Sequence, residues 1–134
     1  MQTLTAPSFI AIIKSGYSNC FNFTGRARRA EYWWFVLYSF IVLIVASILS
    51  LQLIFALDTP SIGMMLHAIS VLLVTIPTIS LAVRRLHDTD RSGWWLLISL
   101  IPLGGIVLLV FLTNDSFLAE NKWGISPKYV DSSF

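Results

Sequence analysis

Three runs of apolar residues without a formal charge dominate the chain, and short polar stretches separate them. The first, Trp33 to Leu57, holds twenty-five residues, sixteen of them Leu, Ile, Val or Phe. As a helix rising about 1.5 Å per residue it would be roughly 37 Å long, more than the hydrocarbon core of about 30 Å. Its polar members, Ser39, Ser47, Ser50 and Gln52, oppose insertion weakly, because a hydroxyl can bond the preceding turn or a neighbouring helix. The second run, Ser61 to Val83, has twenty-three residues, eleven of them Leu, Ile or Val. Gly63, His67, Ser70, Val74 and Thr78 recur in it at helical spacing, which predicts a small, polar face turned toward protein rather than lipid. Pro77 removes a backbone hydrogen bond and predicts a kink. Only Asp58-Thr59-Pro60 separate the two runs, so the two helices form an antiparallel hairpin.

The third run, Gly93 to Asn114, is broken in its middle by Pro102-Leu103-Gly104-Gly105. Irregular backbone at that depth is tolerated only against protein or a water-filled cavity. Two paths fit: one kinked crossing, or a re-entrant hairpin whose halves each reach part way. They place the tail on opposite sides of the membrane. The predicted fold is therefore all-α, a polytopic helical membrane protein in one domain with three transmembrane helices, the third kinked or re-entrant. Residues 1–32 are cytoplasmic or interfacial, the helices span 33–57, 61–83 and 93–114, a cytoplasmic loop covers 84–92, and a tail covers 115–134. Phe9, Ile13 and Tyr17 share one helical face beside Lys14, the pattern of a helix lying in the headgroup layer; a frayed tail is the plain alternative. Phe9 to Ile13 is too short, and lacks the basic start, for a cleavable signal sequence.

Composition narrows the class further. With 56% hydrophobic and 12% charged residues and a mean hydropathy of +0.76, the chain is neither disordered, nor collagen-like, nor an independently water-soluble fold. A net charge of +2 gives no support to nucleic-acid binding, so the charges matter by position. The lone Cys20 can build neither an intrachain disulfide nor a cysteine metal cage. Lys14, Arg26, Arg28 and Arg29 precede the first helix, Arg84, Arg85 and Arg91 follow the second, and Lys122 and Lys128 lie in the tail. In a three-span arrangement the positive-inside rule then puts the N-terminus and second loop in the cytoplasm and the tail outside. Trp33, Trp34, Trp94 and Trp95 stand at the cytoplasmic ends as membrane-interface anchors.

Two polar clusters carry the candidate chemistry. In Thr24-Gly25-Arg26-Ala27-Arg28-Arg29-Ala30-Glu31, Thr24 is a candidate N-cap for the first helix. The arginines oppose the helix dipole, so anionic headgroups, or an acid of the second loop paired with Arg28 or Arg29, should favour them there. In Arg84-Arg85-Leu86-His87-Asp88-Thr89-Asp90-Arg91-Ser92, a helix continued past Val83 would bring Arg84, His87, Asp88 and Arg91 to one face. Asp88 could then pair with Arg84 or Arg91, and Asp90 or Ser92 could cap the third helix. Arg26, Arg28, Arg29, Arg84, Arg85 and Arg91 are thus candidate contacts for anionic headgroups or a partner. Glu31, His87, Asp88 and Asp90 are candidates for a polar junction. No metal, cofactor or catalytic residue is assigned: His87, Asp88 and Asp90 are too few and too local to close a metal site, and no serine or cysteine is marked as a nucleophile. His67 reads as a neutral group bonded to a neighbouring helix, with a proton relay as the sharper alternative.

Taken in order, Phe23 to Trp33, Arg84 to Trp95 and Ile101 to Gly105 resemble the domain of unknown function 805 family of small bacterial inner-membrane proteins. The likeness covers nearly the whole chain. Asn121-Lys122-Trp123-Gly124-Ile125-Ser126-Pro127 is similar to the family's tail pattern of Asn, Arg, an aromatic, Gly and a later Pro. It departs from that pattern with Lys122 in place of Arg and with Ser126 where an Asp is usual, and a glycine-rich approach to Asn121 is missing. The resemblance implies a multi-pass protein of the bacterial inner membrane and no activity. The function expected is a non-enzymatic membrane protein whose clusters contact anionic lipid or a protein partner, with homo-oligomerisation plausible. Two other classes are weighed. One is a small transporter or channel subunit with a path along His67, Pro77, Thr78 and the break at Pro102, Gly104 and Gly105; the other is an enzyme acting on a lipid headgroup through His87 and Asp88.

Overall fold

The computed structural model describes residues 2–130. A two-residue strand, β1 (Gln2–Thr3), precedes α1 (Phe9–Ser18), α2 (Arg29–Phe55) and α3 (Pro60–Asp88). A 3₁₀ helix (Gly93–Leu100), α4 (Gly104–Thr113) and a second short strand, β2 (Tyr129–Val130), complete the order. The chain is overwhelmingly helical, and α2 and α3 are long and apolar enough to cross a membrane.

The antiparallel hairpin predicted from the short connection is formed by α2 and α3. Thr59 closes it, donating to the Leu53 carbonyl from both its N–H (2.9 Å) and its hydroxyl (2.8 Å), and Pro60 starts α3 where a missing N–H costs nothing. Small residues line the seam: Ser39, Ala46 and Ser50 of α2 are buried, as are Gly63, Ser70 and Val74 of α3. Their hydroxyls are satisfied within their own helices, Ser39 on Phe35, Ser50 on Ala46 and Ser70 on Leu66. No water is needed between the helices, and the backbones come close. A Cβ on Gly63 would stand 2.7 Å from both the Ser50 carbonyl oxygen and the Ile54 side chain. The outer flanks are the reverse of a soluble surface, with Phe40, Ile41, Ile44 and Ile48 of α2 and Met64, Leu72 and Leu73 of α3 exposed.

Two boundaries differ from the sequence expectation. Helix α2 begins at Arg29 rather than Trp33, and its N-cap is Arg28 without a capping side chain; the Thr24 hydroxyl donates instead to Asn22 Oδ1 at 2.6 Å. Helix α3 runs on to Asp88, so most of the charged part of the expected 84–92 loop is its last turn. The helix also continues through Pro77, which is buried. At about 40 and 44 Å, α2 and α3 are both longer than a hydrocarbon core is thick.

The third apolar run turns back on itself. Leu103 takes a left-handed conformation (φ 67°) between the 3₁₀ helix and α4, and Gly104 is required beside it because a Cβ there would strike the Ile98 carbonyl. Trp95, near the start of the run, lies edge-on to Phe111, near its end, with ring centroids 5.3 Å apart. A continuous helix would separate these positions by about 24 Å. Both ends of the run therefore sit at one level.

That level is where the core lies. Ile12 of α1, Ala27, Tyr32 and Phe35 around the start of α2, Leu81, Ala82 and Leu86 of α3, and Leu112 of α4 form one buried cluster. Helix α1 is packed rather than frayed: Gly16 abuts the Phe35 ring, and Tyr17 meets Phe35 edge-on at 5.7 Å. The Ser80 hydroxyl donates to the carbonyls of Asn19 (2.9 Å) and Asn22 (2.7 Å), fixing the link between α1 and α2 onto α3. Antiparallel pairing of β1 with β2 joins the two ends of the described chain. Gly63→Leu is expected to lower the stability of the detergent-solubilised protein by about 1–3 kcal/mol through overpacking of the seam, read as a fall in the thermal transition; an unchanged transition would show that the hairpin tolerates separation.

Candidate functional site: a buried arginine and aspartate junction

Asp88 ends α3 with its side chain fully buried. Such a carboxylate must be both paired and hydrogen-bonded. Arg85, one turn earlier on the same helix, donates from Nη1 to Asp88 Oδ2, and Arg26, from the link before α2, donates from Nε to Oδ1 at 3.0 Å. The Ser116 hydroxyl, from the tail, donates to Oδ2 at 2.5 Å. Three segments remote in sequence thus converge on one carboxylate.

Arg26 uses all five of its donors. Beyond Nε, its Nη2 reaches the carbonyls of Asp88 (3.3 Å) and Phe117 (2.6 Å), and its Nη1 those of Ala119 (2.9 Å) and Gly124 (3.1 Å). Arg85 donates to the carbonyls of Leu112 (3.1 Å from Nε) and Asn114. Two cations against one anion leave the knot with one surplus positive charge, which these six carbonyl dipoles solvate. The tail is held by the same groups in reverse: the Phe117 N–H donates to the Asp88 carbonyl at 2.9 Å and Asn121 Nδ2 to the His87 carbonyl at 2.9 Å. His87 turns Nδ1 toward the Gly25 carbonyl (3.2 Å) and stacks flat on Trp123, with centroids 4.3 Å apart.

The candidate residues fall into separate roles. Arg26, Arg85, His87 and Asp88 form the junction. Asp88 pairs with neither Arg84 nor Arg91, because the i,i+3 position on the last turn of α3 belongs to Arg85. Arg28 is buried and binds the carbonyls of Leu4 (2.6 Å) and Thr5 (2.7 Å). Neither Arg28 nor Arg29 meets an acid of the 84–92 segment; Arg26 takes that role. Arg84 is also buried, with Nε and Nη2 unpartnered and Glu31 as the acid whose charge acts on it most strongly. Arg91 lies over the Phe111 ring at 4.2 Å, and Arg29 is exposed on the first turn of α2. Asp90 is exposed and occupies a left-handed turn (φ 58°), outside the junction, while Ser92 caps the 3₁₀ helix at Trp94 N. His87, Asp88 and Asp90 therefore point to three different environments and do not converge.

Trp33 and Trp34 flank the start of α2, and Trp94 and Trp95 open the 3₁₀ helix, all at the junction end. Pro102, Gly104 and Gly105 lie at the turn of the hairpin, the opposite end of that segment. His67 is exposed on α3, off the buried seam that Gly63, Ser70 and Val74 share. The tail contribution, Ser116, Asn121, Trp123 and the carbonyls of residues 112–124, went unassigned in the sequence reading; the Asn-Lys-Trp-Gly pattern was its one signal. A second tail contact is exposed: Lys128 Nζ lies 2.6 Å from Asp115 Oδ1.

Two long apolar helices, a lipid-like outer surface and a charged knot gathered at one end define a helical membrane protein. The chain belongs to the DUF805 family, protein of unknown function, whose profile matches residues 20–125. It is similar to the inner membrane protein YhaI of Escherichia coli (strain K12), 39% identical over 122 residues that cover 90% of this chain and 95% of that one. It is similar too to the inner membrane protein YhaH of the same organism, 40% identical over 111 residues, or 82% of this chain and 90% of that one. No solved structure matches the chain.

Removing one partner of a buried pair leaves the other charge stranded. Asp88→Ala is expected to cost about 3–5 kcal/mol, whereas Asp115→Ala, at an exposed pair, should cost less than about 1 kcal/mol; equal thermal transitions for the two variants in detergent would refute the ranking. The Asp115 carboxyl is held below its ordinary value of 3.8, mainly by its hydrogen bond to Lys128. On acidification the unfolded state takes up this proton first, so the small stabilisation is complete above about pH 4 and is lost as pH falls below it. Protection of the tail amides, taken against the intrinsic exchange rate at each pH, should fall over that acid range in the wild type, and Asp115→Asn should remove that part of the pH dependence.

Proposed function

We propose that this protein is a non-enzymatic, multi-pass scaffold of the bacterial inner membrane whose surplus cytoplasmic cations engage anionic phospholipid headgroups. Helices α2 and α3 cross the bilayer. The 3₁₀ helix and α4 form a re-entrant hairpin that enters from the cytoplasmic face and returns to it. Helix α1 lies in the headgroup layer, and the N-terminus and tail are both cytoplasmic. The observation that carries this reading is the Asp88 junction, since Arg26 is solvated by tail carbonyls and Arg85 by the carbonyls at the end of the third apolar run, and both need that part of the chain on the arginines' own side.

Other features support it. Each half of the hairpin is about 15 Å long, half of a hydrocarbon core. With the tail returned, all nine Lys and Arg residues lie on one side, while the short connection between α2 and α3 has only Asp58. The inner-membrane names of YhaI and YhaH fit this location. Two crossings and a half-depth hairpin bury little apolar surface among themselves, which favours self-association or a membrane-protein partner. A transport path finds no comparable support, because His67 lies on the exposed surface of α3 and Pro77 in its buried seam.

The test joins topology to lipid dependence. A fluorescent protein fused to the C-terminus should fluoresce, and a periplasm-dependent phosphatase at the same place should stay inactive. The purified chain should unfold at higher temperature in phosphatidylglycerol bilayers than in phosphatidylcholine bilayers, by an increment that salt suppresses. An active phosphatase fusion would overturn the re-entrant arrangement, and equal transitions in the two lipids would overturn the lipid reading.

A further inference from the structure

A groove of about 590 Å³ runs between the first turns of α2 and the two joined ends of the chain. Arg28, Arg29 and Lys128 stand along it, and Asp115 is the one acid in its lining. That acid is already taken by Lys128. Arg28 spends both Nη groups on carbonyls, which bind its N–H groups without cancelling its charge. Arg29 makes no hydrogen bond or ion pair among the described residues, and α2 begins without a capping side chain, so its dipole adds positive potential at the same place. Among the described lining residues three cations thus stand against one acid along an open groove.

The opposite end of the groove is apolar. Arg29, Trp33 and Leu37 recur every four residues, which puts them in line along one face of α2 and about 12 Å from first to last. Trp34 and Leu37 are half exposed in the same wall. Charge gives way to hydrocarbon surface in the direction in which a phospholipid passes from headgroup to acyl chain.

We propose that this groove is a specific site for one anionic phospholipid, its phosphate against Arg29 with Arg28 and Lys128 behind it, and its acyl chain along Trp34 and Leu37. The assignment deepens the headgroup reading above and rests on it. A soluble phosphate would leave the apolar wall unused. A zwitterionic lipid would bring an ammonium to a place where Asp115, the one carboxylate among the described lining residues, is already bound.

Native mass spectrometry of the full chain released from micelles tests the site, with phosphatidylglycerol and phosphatidylcholine of matched chains added stepwise. One phosphatidylglycerol should be retained per chain, in preference to phosphatidylcholine by on the order of tenfold. Arg29→Gln should reduce that retention about fivefold, and Ala30→Phe, which fills the groove without changing its charge, should reduce it as well. Lys122→Gln, outside the groove, should leave retention intact. Arg29 makes no hydrogen bond or ion pair among the described residues, so its variant should keep the wild-type thermal transition. Equal retention of the two lipids, or unchanged retention in Arg29→Gln, would overturn the site. Displacement of the lipid by glycerol 3-phosphate at equal concentration would overturn it in favour of a soluble anion. If anionic bilayers still raise the thermal transition while Arg29→Gln binds normally, the groove assignment falls and the general headgroup reading stands.

Discussion

A carboxylate with no access to water holds this structure together, and its position decides where the rest of the chain can go. An ionised group in that setting is tolerable only when opposite charge and hydrogen bonds replace its hydration. Asp88 obtains two guanidinium groups and a hydroxyl, from three different stretches of sequence. The pairing carries a second demand, because Arg26 and Arg85 must also be satisfied, and the carbonyls that do so belong largely to the end of α4 and the tail. Meeting that demand brings residues 112–124 back beside the link before α2. The course of the hairpin between them follows.

The knot divides the arginines into two populations. Arg26, Arg28 and Arg85 are consumed by the protein's own backbone and act as internal staples. Such groups add little net stability over well-packed apolar residues, but they penalise every arrangement in which a partner is missing. Arg29 lies outside this network of carbonyls and is exposed, while Arg91 donates only to the Thr89 carbonyl at 3.2 Å. A count of positive charges near a membrane therefore overstates what is available for binding, and the geometry reduces a cluster of six to a few residues.

Much of the fold was legible in the sequence, because insertion into lipid depends on consecutive residues and little else. The two long helices, their tight connection and the small residues of their seam followed from run length and spacing. Legibility failed where the outcome depends on distant partners. Pro102-Leu103-Gly104-Gly105 breaks a helix equally well in a kinked crossing and in a hairpin, and the choice is made by Phe111 meeting Trp95 and by the carbonyls at the end of α4 meeting Arg85. For Asp88, local spacing nominated Arg84 and Arg91, yet one partner is Arg85 and the other, Arg26, lies sixty-two residues away. His67 shows the limit of a helical-face argument, since its spacing from Gly63 and Ser70 suggested a buried position and the α2 contact line drifts past it.

The order in which the acceptors are made sets the order of assembly. Arg26 and Asp88 precede residues 112–124 in the chain, so they are made before the oxygens that will solvate the arginines. During that interval water must do the work of the tail. The knot therefore cannot close until that stretch exists, and a product arrested before Ser116 lacks the hydroxyl and the Phe117, Ala119 and Gly124 carbonyls that complete it.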